Sequence, residues 1–508
     1  MSLIARTGRP VVALLCAALL AACAAPTPTP PSPSVPPPAS LTPVAPARLT
    51  ATPTTPRPTV VVVTPTPDPP RGVPSTGVVT VTYTVLRGDT LSGIAAGFDM
   101  SVDDLARLNG IDNPAFIRPG QGLIALEQVS GNGPSVKLLP DSELVNGPAA
   151  VGFDLSGFIA AQPGLLRTYT ETVDGEAMTA DRVLGRVAEQ ASVNPRLLLT
   201  ALEYAGGWLS NPDPPRDKRW YPLGNARATI TNSLYLQLQW AAARFNEGYY
   251  GWRLGTRLQV KLADGSRAFV GDRINAATAG VQNYLALLHP RGAWLNAAGA
   301  GGFIETYRRL FGDPWARDAG PPLAGAPPQP ALTLPWARGE TWYLTGGPHA
   351  AWAAGTPWGA LDFAAVRTWG CRELDDWVTA MAAGPVVRSG LGDVVQSLDP
   401  AADERVGWSV LYLHIGTPDR VPRGRQLGVG DAIGHPSCEG GVALGAHVHV
   451  ARKYNGEWVN AVGAFPFVLD GWTVFEGDVD YDGGLRLGEQ RREACECKEP
   501  ETNGLTRP

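Results

Sequence analysis

Two histidines spaced two residues apart, His447 and His449, sit in the run 445–450, Gly-Ala-His-Val-His-Val. In an extended strand residues i and i+2 share a face, so both imidazoles point one way and Val448 and Val450 point the other, toward a core. Upstream, His349 closes the stretch Trp-Tyr-Leu-Thr-Gly-Gly-Pro-His, Asp362 follows within Ala-Leu-Asp-Phe-Ala, and His414 lies in Val-Leu-Tyr-Leu-His-Ile. Four of the six histidines and one aspartate thus occupy short apolar segments, a pattern that suits a metal cleft. Two imidazoles and one carboxylate leave the fourth tetrahedral position open, as a catalytic zinc site requires; a structural site would fill it with a further Cys or His. His-Glu-x-x-His is absent, so no helix glutamate offers itself as base, and a histidine beside the metal can take that role near neutral pH. The bland alternative is a pair of exposed histidines on an edge strand.

The elements that must position these groups are short, strand-like and punctuated by glycine: 385–388, 393–395, 408–415 and 446–450. They predict a mainly β domain over 331–475. These segments resemble the lysostaphin/staphylolysin-type zinc metallopeptidases with the duplicated hybrid motif fold. Gly-Gly-Pro-His with Leu-Asp-Phe-Ala, Thr-Ala-Met-Ala-Ala-Gly-Pro-Val-Val-Arg-Ser, Leu-Tyr-Leu-His-Ile and Gly-Ala-His-Val-His-Val carry the likeness. So does the hairpin-like stretch 421–434. The resemblance implies one Zn2+ per chain held by His349, Asp362 and His449, with His414 and His447 as the catalytic pair. His447 is then expected to be the general base, and His414 to donate to the oxyanion or the leaving amine. In the commoner family pattern the first ligand stands four residues before the aspartate, where this chain has Trp358; His349 restores the set in the staphylolysin-like arrangement.

Toward the N-terminus, Arg6 and Arg9 precede an apolar run from Val11 to Leu20, too short to span a bilayer. It ends in Leu-Ala-Ala-Cys, which resembles the lipobox of bacterial lipoproteins, with Cys23 the lipidated residue after removal of 1–23. Residues 24–79 collapse to Pro, Thr, Ala, Ser and Val and read as an extended spacer. Residues 80–127 read as strand, helix, helix, strand, with helices opening near Asp89-Thr90 and at Ser101. The opening Tyr-Thr-Val-Leu-Arg-Gly-Asp-Thr-Leu and the close Ile-Arg-Pro-Gly-Gln-Gly-Leu-Ile resemble a LysM module. That likeness implies binding to the N-acetylglucosamine of peptidoglycan or chitin through Gly88, Asp89, Thr90 and Leu91 on one loop and Ile117, Arg118 and Pro119 on the other.

Residues 130–318 are mostly helical by periodicity, including 180–190 and 231–240. The stretch 193–208 resembles the Asn-Pro…Leu-Leu-Ala…Glu-Ser-Gly-Trp segment of lysozyme-like transglycosylases. Glycoside cleavage needs a carboxylic acid aimed at the leaving oxygen. Here Ala205 occupies the position of that acid and Glu203 lies two residues earlier, about 200° around a helix. The expectation is a lysozyme-like domain without lytic activity. His289 reads as a helix-end residue, and His435 as lining the cleft or bracing a loop.

Residues 319–330 form a second, Pro/Gly-rich linker, and 476–508 read as a charged tail. Once Cys16 leaves with the leader and Cys23 is lipidated, Cys371, Cys438, Cys495 and Cys497 remain. Cys371 and Cys438 bracket the peptidase core and are expected to form a disulfide; Cys495-Glu-Cys497 is too tight for a relaxed internal bridge, so the partner of that pair stays open, a metal being one alternative. At 508 residues the chain has room for three domains plus tethers. A net charge of −5 argues against nucleic acid as a partner.

The sequence therefore predicts a multidomain chain: a small βααβ LysM module, a mainly α lysozyme-like domain and a mainly antiparallel β peptidase domain. The function expected is an extracytoplasmic zinc endopeptidase of peptidoglycan, held to the membrane by a Cys23 lipid. A non-catalytic wall-binding or amidase-activating protein, and a glycan-cleaving enzyme using the helical domain, are the alternatives.

Overall fold

The computed structural model describes residues 71–113, 116–225, 233–365, 370–371 and 374–508, all within the unit Val62–Pro508. The leader with Cys16 and Cys23, and the spacer up to residue 70, lie outside the described residues.

The first module runs β1 (Thr76–Thr84), α1 (Leu91–Gly97), α2 (Val102–Leu108) and β2 (Gly122–Ser130), with β1 and β2 antiparallel. Both helices begin where a hydroxyl caps them: Thr90 accepts from Gly93 N–H and Ser101 from Asp104 N–H. Leu91, Ile94, Leu105 and Leu123 fill the small core. The strands reach beyond the span read from sequence, so 76–79 are strand rather than spacer.

The helical region contains α3 (Leu155–Ala160), the hairpin β3 (Thr170–Val173) and β4 (Glu176–Thr179), α4 (Ala180–Ala191), α5 (Pro195–Gly206), α6 (Arg216–Trp220) and α7 (Leu234–Leu254). It continues with the hairpin β5 (Gln259–Lys261) and β6 (Arg267–Phe269), then α8 (Ala276–Ala286), α9 (Arg291–Ala297) and α10 (Phe303–Phe311). In α4 the apolar residues Val183, Leu184, Val187, Ala188 and Ala191 recur at helical spacing and are all buried. In α5, Asn194 caps the start, Pro195 sits at the first turn where it costs no hydrogen bond, and Gly207 closes the helix in the left-handed conformation. The first module docks here: Phe269 N–H donates to Gly131 O, Gly133 N–H donates to Phe269 O, and Arg267 pairs with Glu127.

The C-terminal region is built on a sheet ordered β13-β10-β11-β12-β15-β8-β7-β21, with β16 beside β15. Its strands are β7 (Thr341–Ala350), β8 (Trp358–Ala364), β10 (Gly384–Gly390), β11 (Asp393–Ser397), β12 (Trp408–Leu413), β13 (Gln426–Leu427), β15 (Val448–Tyr454), β16 (Glu457–Trp458) and β21 (Gly504–Thr506). Two smaller sheets pair β9 (Val378–Thr379) with β14 (Ala432–Gly434), and join β17 (Val468–Leu469), β18 (Trp472–Glu476), β19 (Gly483–Leu487) and β20 (Gln490–Glu493). The reading of 476–508 as a tail is corrected: β19 and β20 form a hairpin around Gly488, and β21 pairs with β7 as an edge strand of the main sheet. Cys371 and Cys438 form the expected disulfide, and the reading of Cys495-Glu-Cys497 as too tight to bridge internally is corrected, since Cys495 bonds Cys497.

The main sheet is covered on both faces. Val448, Val450, Leu361, Phe363, Val410 and Tyr412 turn toward a core with Trp336 and Trp342. From the opposite face Ala351, Ala360, Val395, Leu411, Leu413, Ala451 and Trp458 join the core of the helical region. Polar bonds stitch that contact: Lys453 Nζ to Glu189 O at 2.9 Å, Tyr249 OH to Glu457 at 3.1 Å, and Trp458 N–H to Tyr250 OH at 3.0 Å.

Candidate metal centre

The ligand candidates come from three adjacent strands. His449 on β15 pairs directly with Asp362 on β8, and β7 lies on the other side of β8. Alternation along β15 sends His449 to the face opposite Val448 and Val450. His349 reaches Asp362 although its register partner is Ala360, because the β7–β8 ladder is irregular at three places between Leu344 and Ala350. Bulges of this kind re-aim side chains.

The resulting atoms converge. His349 Nε2 lies 3.3 Å from Asp362 Oδ1, His449 Nδ1 lies 3.2 Å from the same oxygen, and the two nitrogens are 3.0 Å apart. The far nitrogen of each ring is committed to a backbone carbonyl: His349 Nδ1 to Gly347 O at 2.8 Å and His449 Nε2 to Ala351 O at 3.1 Å. A carbonyl only accepts, so those nitrogens carry the hydrogens and each neutral ring turns its lone pair inward. Asp362 Oδ1 is buried and no hydrogen bond of good geometry reaches it. Three electron pairs aimed at one another in a buried site repel unless a cation or proton lies between them, so the residues fit a divalent metal, and the N,N,O set suits zinc. Among the described residues this is the one such group.

The same proximity sets the protonation of the three groups. Burial works against the charged form of His349, but the Asp362 carboxylate outweighs it and raises the imidazole above its ordinary pKa. Burial also opposes ionisation of Asp362, yet His349 and His447 hold its carboxyl well below the usual range. His449, which burial dominates, is lowered.

His447 and His414 complete the cluster. His447 Nε2 is 3.6 Å from Asp362 Oδ1, and its Nδ1 is held by Gly445 O at 2.8 Å. His414 follows β12 with φ +64°, a left-handed conformation that a non-glycine residue adopts at a cost of about 1–2 kcal/mol. That turn swings its ring out of the sheet to within 4.5 Å of the His447 ring, and Glu439 O fixes its Nδ1 at 2.8 Å. Burial, then the neighbouring His447 and His449, push His414 down to about 3.

One contributor escaped the sequence reading. Tyr481, in the supposed tail, stacks on His349 with ring centroids 4.1 Å apart and planes 14° from parallel. Gly347 permits this approach, since a Cβ there would lie 2.2 Å from Asp482 O. The available signal was the pair of strand-like runs flanking Gly488. Trp358, at the commoner first-ligand position, lies on β8 opposite Ala350, outside the cluster. His435 lies outside it too: it packs at a tilt of 48° against Trp377, ring centroids 4.0 Å apart, and bonds Asp376 O at 3.0 Å, bracing a loop.

The chain matches the model of the LysM domain over residues 83–125 and that of the LasA N-terminal domain over residues 137–324. Protease LasA of Pseudomonas aeruginosa is 28% identical over 374 residues, covering 70% of this chain and 82% of its own length. The chain is a homologue of the LasA and beta-lytic metalloproteases. The beta-lytic metalloendopeptidase of Achromobacter lyticus is 28% identical over 176 residues, 33% of this chain and 44% of that protein. A solved M23 metalloprotease, pseudoalterin, aligns with 33% of this chain and 96% of its own at 24% identity and a TM-score of 0.28. In this LasA homologue the segment expected to be lysozyme-like is therefore the one that matches the LasA N-terminal domain.

In the LysM module, Gly120 N–H donates to Val85 O and Val85 N–H to Gln121 O, which joins the two loops expected to bind sugar. Asp89 is occupied within the module, accepting from Tyr83 OH at 2.8 Å and Leu86 N–H at 2.7 Å. Gly88, Arg118 and Pro119 are exposed, Ile117 is half-buried, and Thr90 is spent as a helix cap. Leu91 is corrected: it is buried in the module core and presents no side chain to a ligand. In α5, Glu203 is buried, accepts from Leu209 and Ser210 N–H at 3.1 Å each, and pairs with Arg309 at 3.1 Å. His289 follows α8 and meets Tyr204 OH at 3.4 Å.

Proposed function

We propose that this protein is a zinc metalloendopeptidase that hydrolyses peptide bonds in peptidoglycan, directed to its substrate by the LysM module and anchored outside the cytoplasm through a lipid on Cys23. The observation that carries the reading is the orphaned Asp362 Oδ1 facing two inward imidazole lone pairs. His349, Asp362 and His449 would hold the metal. Zinc there supplies Lewis acidity toward the scissile carbonyl and lowers the pKa of a water toward about 7.

The chain's own residues do the rest. His447, with Nδ1–H tied to Gly445 O, turns an acceptor Nε2 to the site and takes the proton of the attacking water, to be returned to the leaving amine. His414 likewise has its Nδ1–H committed to Glu439 O, and burial keeps the ring neutral, so its Nε2 presents a lone pair to the site rather than the proton expected for the oxyanion. Tyr481 packs on His349 and keeps that ligand in its plane.

We read the C-terminal sheets as the duplicated hybrid motif and the helical region as a lysozyme-like body without hydrolysis. Glu203 supports the second point, since both its oxygens are spent on structural partners. The test uses the mature chain and its His449→Ala variant with purified peptidoglycan. About one zinc per chain by mass spectrometry, and new peptide termini from wild type alone, are expected. New reducing-end sugars, or no zinc and no cleavage, would refute the reading.

A further inference from the structure

The segment 438–446, Cys-Glu-Gly-Gly-Val-Ala-Leu-Gly-Ala, carries two aliphatic side chains that neither metal binding nor proton transfer uses. Val442 is 98% exposed and Leu444 78% exposed. The loop that carries them is clamped. Cys438 is bonded to Cys371, Gly370 N–H donates to Leu444 O at 3.1 Å, and Gly370 pairs with Gly445 in a parallel bridge. Its backbone also holds the catalytic pair: Glu439 O fixes His414, Gly445 O fixes His447, and a methyl placed on Gly441 would lie 3.4 Å from His414 Cε1. Two bare aliphatic chains therefore stand between the two points at which one loop grips the two histidines. Exposed apolar surface on a tethered loop gains free energy only by being covered, and the position beside the histidines says what covers it.

We propose that Val442 and Leu444 form an apolar lip that binds peptide side chains next to the scissile bond, so that this protein selects peptides carrying an aliphatic side chain there over runs of glycine. The inference rests on the peptidase reading above and narrows its substrate class. A glycine offers the lip nothing to cover. An alanine methyl or a larger group lies against Val442 and Leu444 while the backbone carbonyl enters the site. In a closed pocket one methylene changes kcat/KM by roughly 10- to 200-fold; a lip open to solvent on one side sits at the low end of that range.

The full mature chain, loaded with zinc, is given two purified cross-linked muropeptide dimers, one joined directly through alanine and one through a glycine bridge. The ratio of their kcat/KM values is measured for wild type, Val442→Ser, Leu444→Ser and the double variant. Because both side chains are exposed, these substitutions leave the fold unaffected. Wild type is expected to favour the alanine-linked dimer about tenfold, and the double variant to lower that ratio at least threefold. Leu295→Ser, on the exposed face of α9, should leave the ratio at the wild-type value. A wild type that prefers the glycine bridge, or a double variant with an unchanged ratio, overturns the lip. If wild type cleaves neither dimer, the peptidase reading falls and takes the lip with it.

Discussion

Glu404 offers a test of how the helical region is fastened to the ligand-bearing sheet. Its carboxylate is buried, 8% exposed, and accepts from Arg388 Nε and Lys453 Nζ at 2.9 Å each; Lys453 in turn bonds Glu189 O of α4. Burial opposes its ionisation, but Arg388 and Lys453 prevail and hold it at about 2 instead of 4.5. A folded pKa depressed below the unfolded one contributes stability that is complete above pH 4.5 and lost as pH falls toward 2. At 1.36 kcal/mol per unit the contribution is about 3 kcal/mol. That is an upper limit on the acid loss, because burial raises Asp393 and Glu189 nearby, and their protonation on acidification relieves a penalty. Glu404→Gln leaves Lys453 and Arg388 without a full counter-charge and should cost about 3–5 kcal/mol at pH 7. Urea unfolding at pH 7, 5 and 3 reads both effects. Wild type should lose up to about 2 kcal/mol between pH 5 and 3, the rest going only below pH 3, and the variant should start lower and change less. A variant as stable as wild type at pH 7, or equally acid-sensitive, would refute the reasoning.

Three further outcomes are expected. Because Asp362 raises His349 in the metal-free protein, the metal must displace a proton, so zinc affinity measured by chelator competition should be weaker at pH 6 than at pH 8; a flat profile counts against His349 as a ligand. Tyr481→Ala should lower zinc affinity roughly tenfold while Tyr481→Phe, which keeps the stacked ring, stays near wild type; equal losses would show that the hydroxyl, not the stack, matters. Breaking the Cys371–Cys438 bridge with paired serines should destabilise the fold by about 4 kcal/mol on the chain-entropy model, and an unchanged melting temperature would exclude it.

What the sequence revealed follows from what strand periodicity and residue chemistry encode. The faces of β15 were legible because alternation alone separates His449 from Val448 and Val450. The clustering of His349, Asp362 and His449 and the Cys371–Cys438 bridge were expected from residue type and from the family likeness. His414 was legible as a participant, but not how it gets there: nothing in Leu-His-Ile announces a left-handed residue, since the strain is compensated by Ser437, whose N–H and hydroxyl both bond His414 O. Tyr481 was missed because Asp-Val-Asp-Tyr-Asp reads as polar loop, and only the pairing of β19, β20 and β21 brings it back against β7. Leu91 was misplaced because a binding-loop motif and a helix start overlap there, and the helix claims the side chain.

Because Leu411, Leu413, Ala451 and Trp458 belong to the helical core, strand β15 has no side that faces solvent. The linker at 319–330 marks a break in composition but not a break in cooperativity. A chain nicked there would still elute from a sizing column as one particle, and heating would melt its two pieces in a single transition. Drift in sequence is confined in the same way: along β15 Val448 and Val450 answer to one core and Ala451 and Lys453 to the helices, so neither pair is free to vary alone.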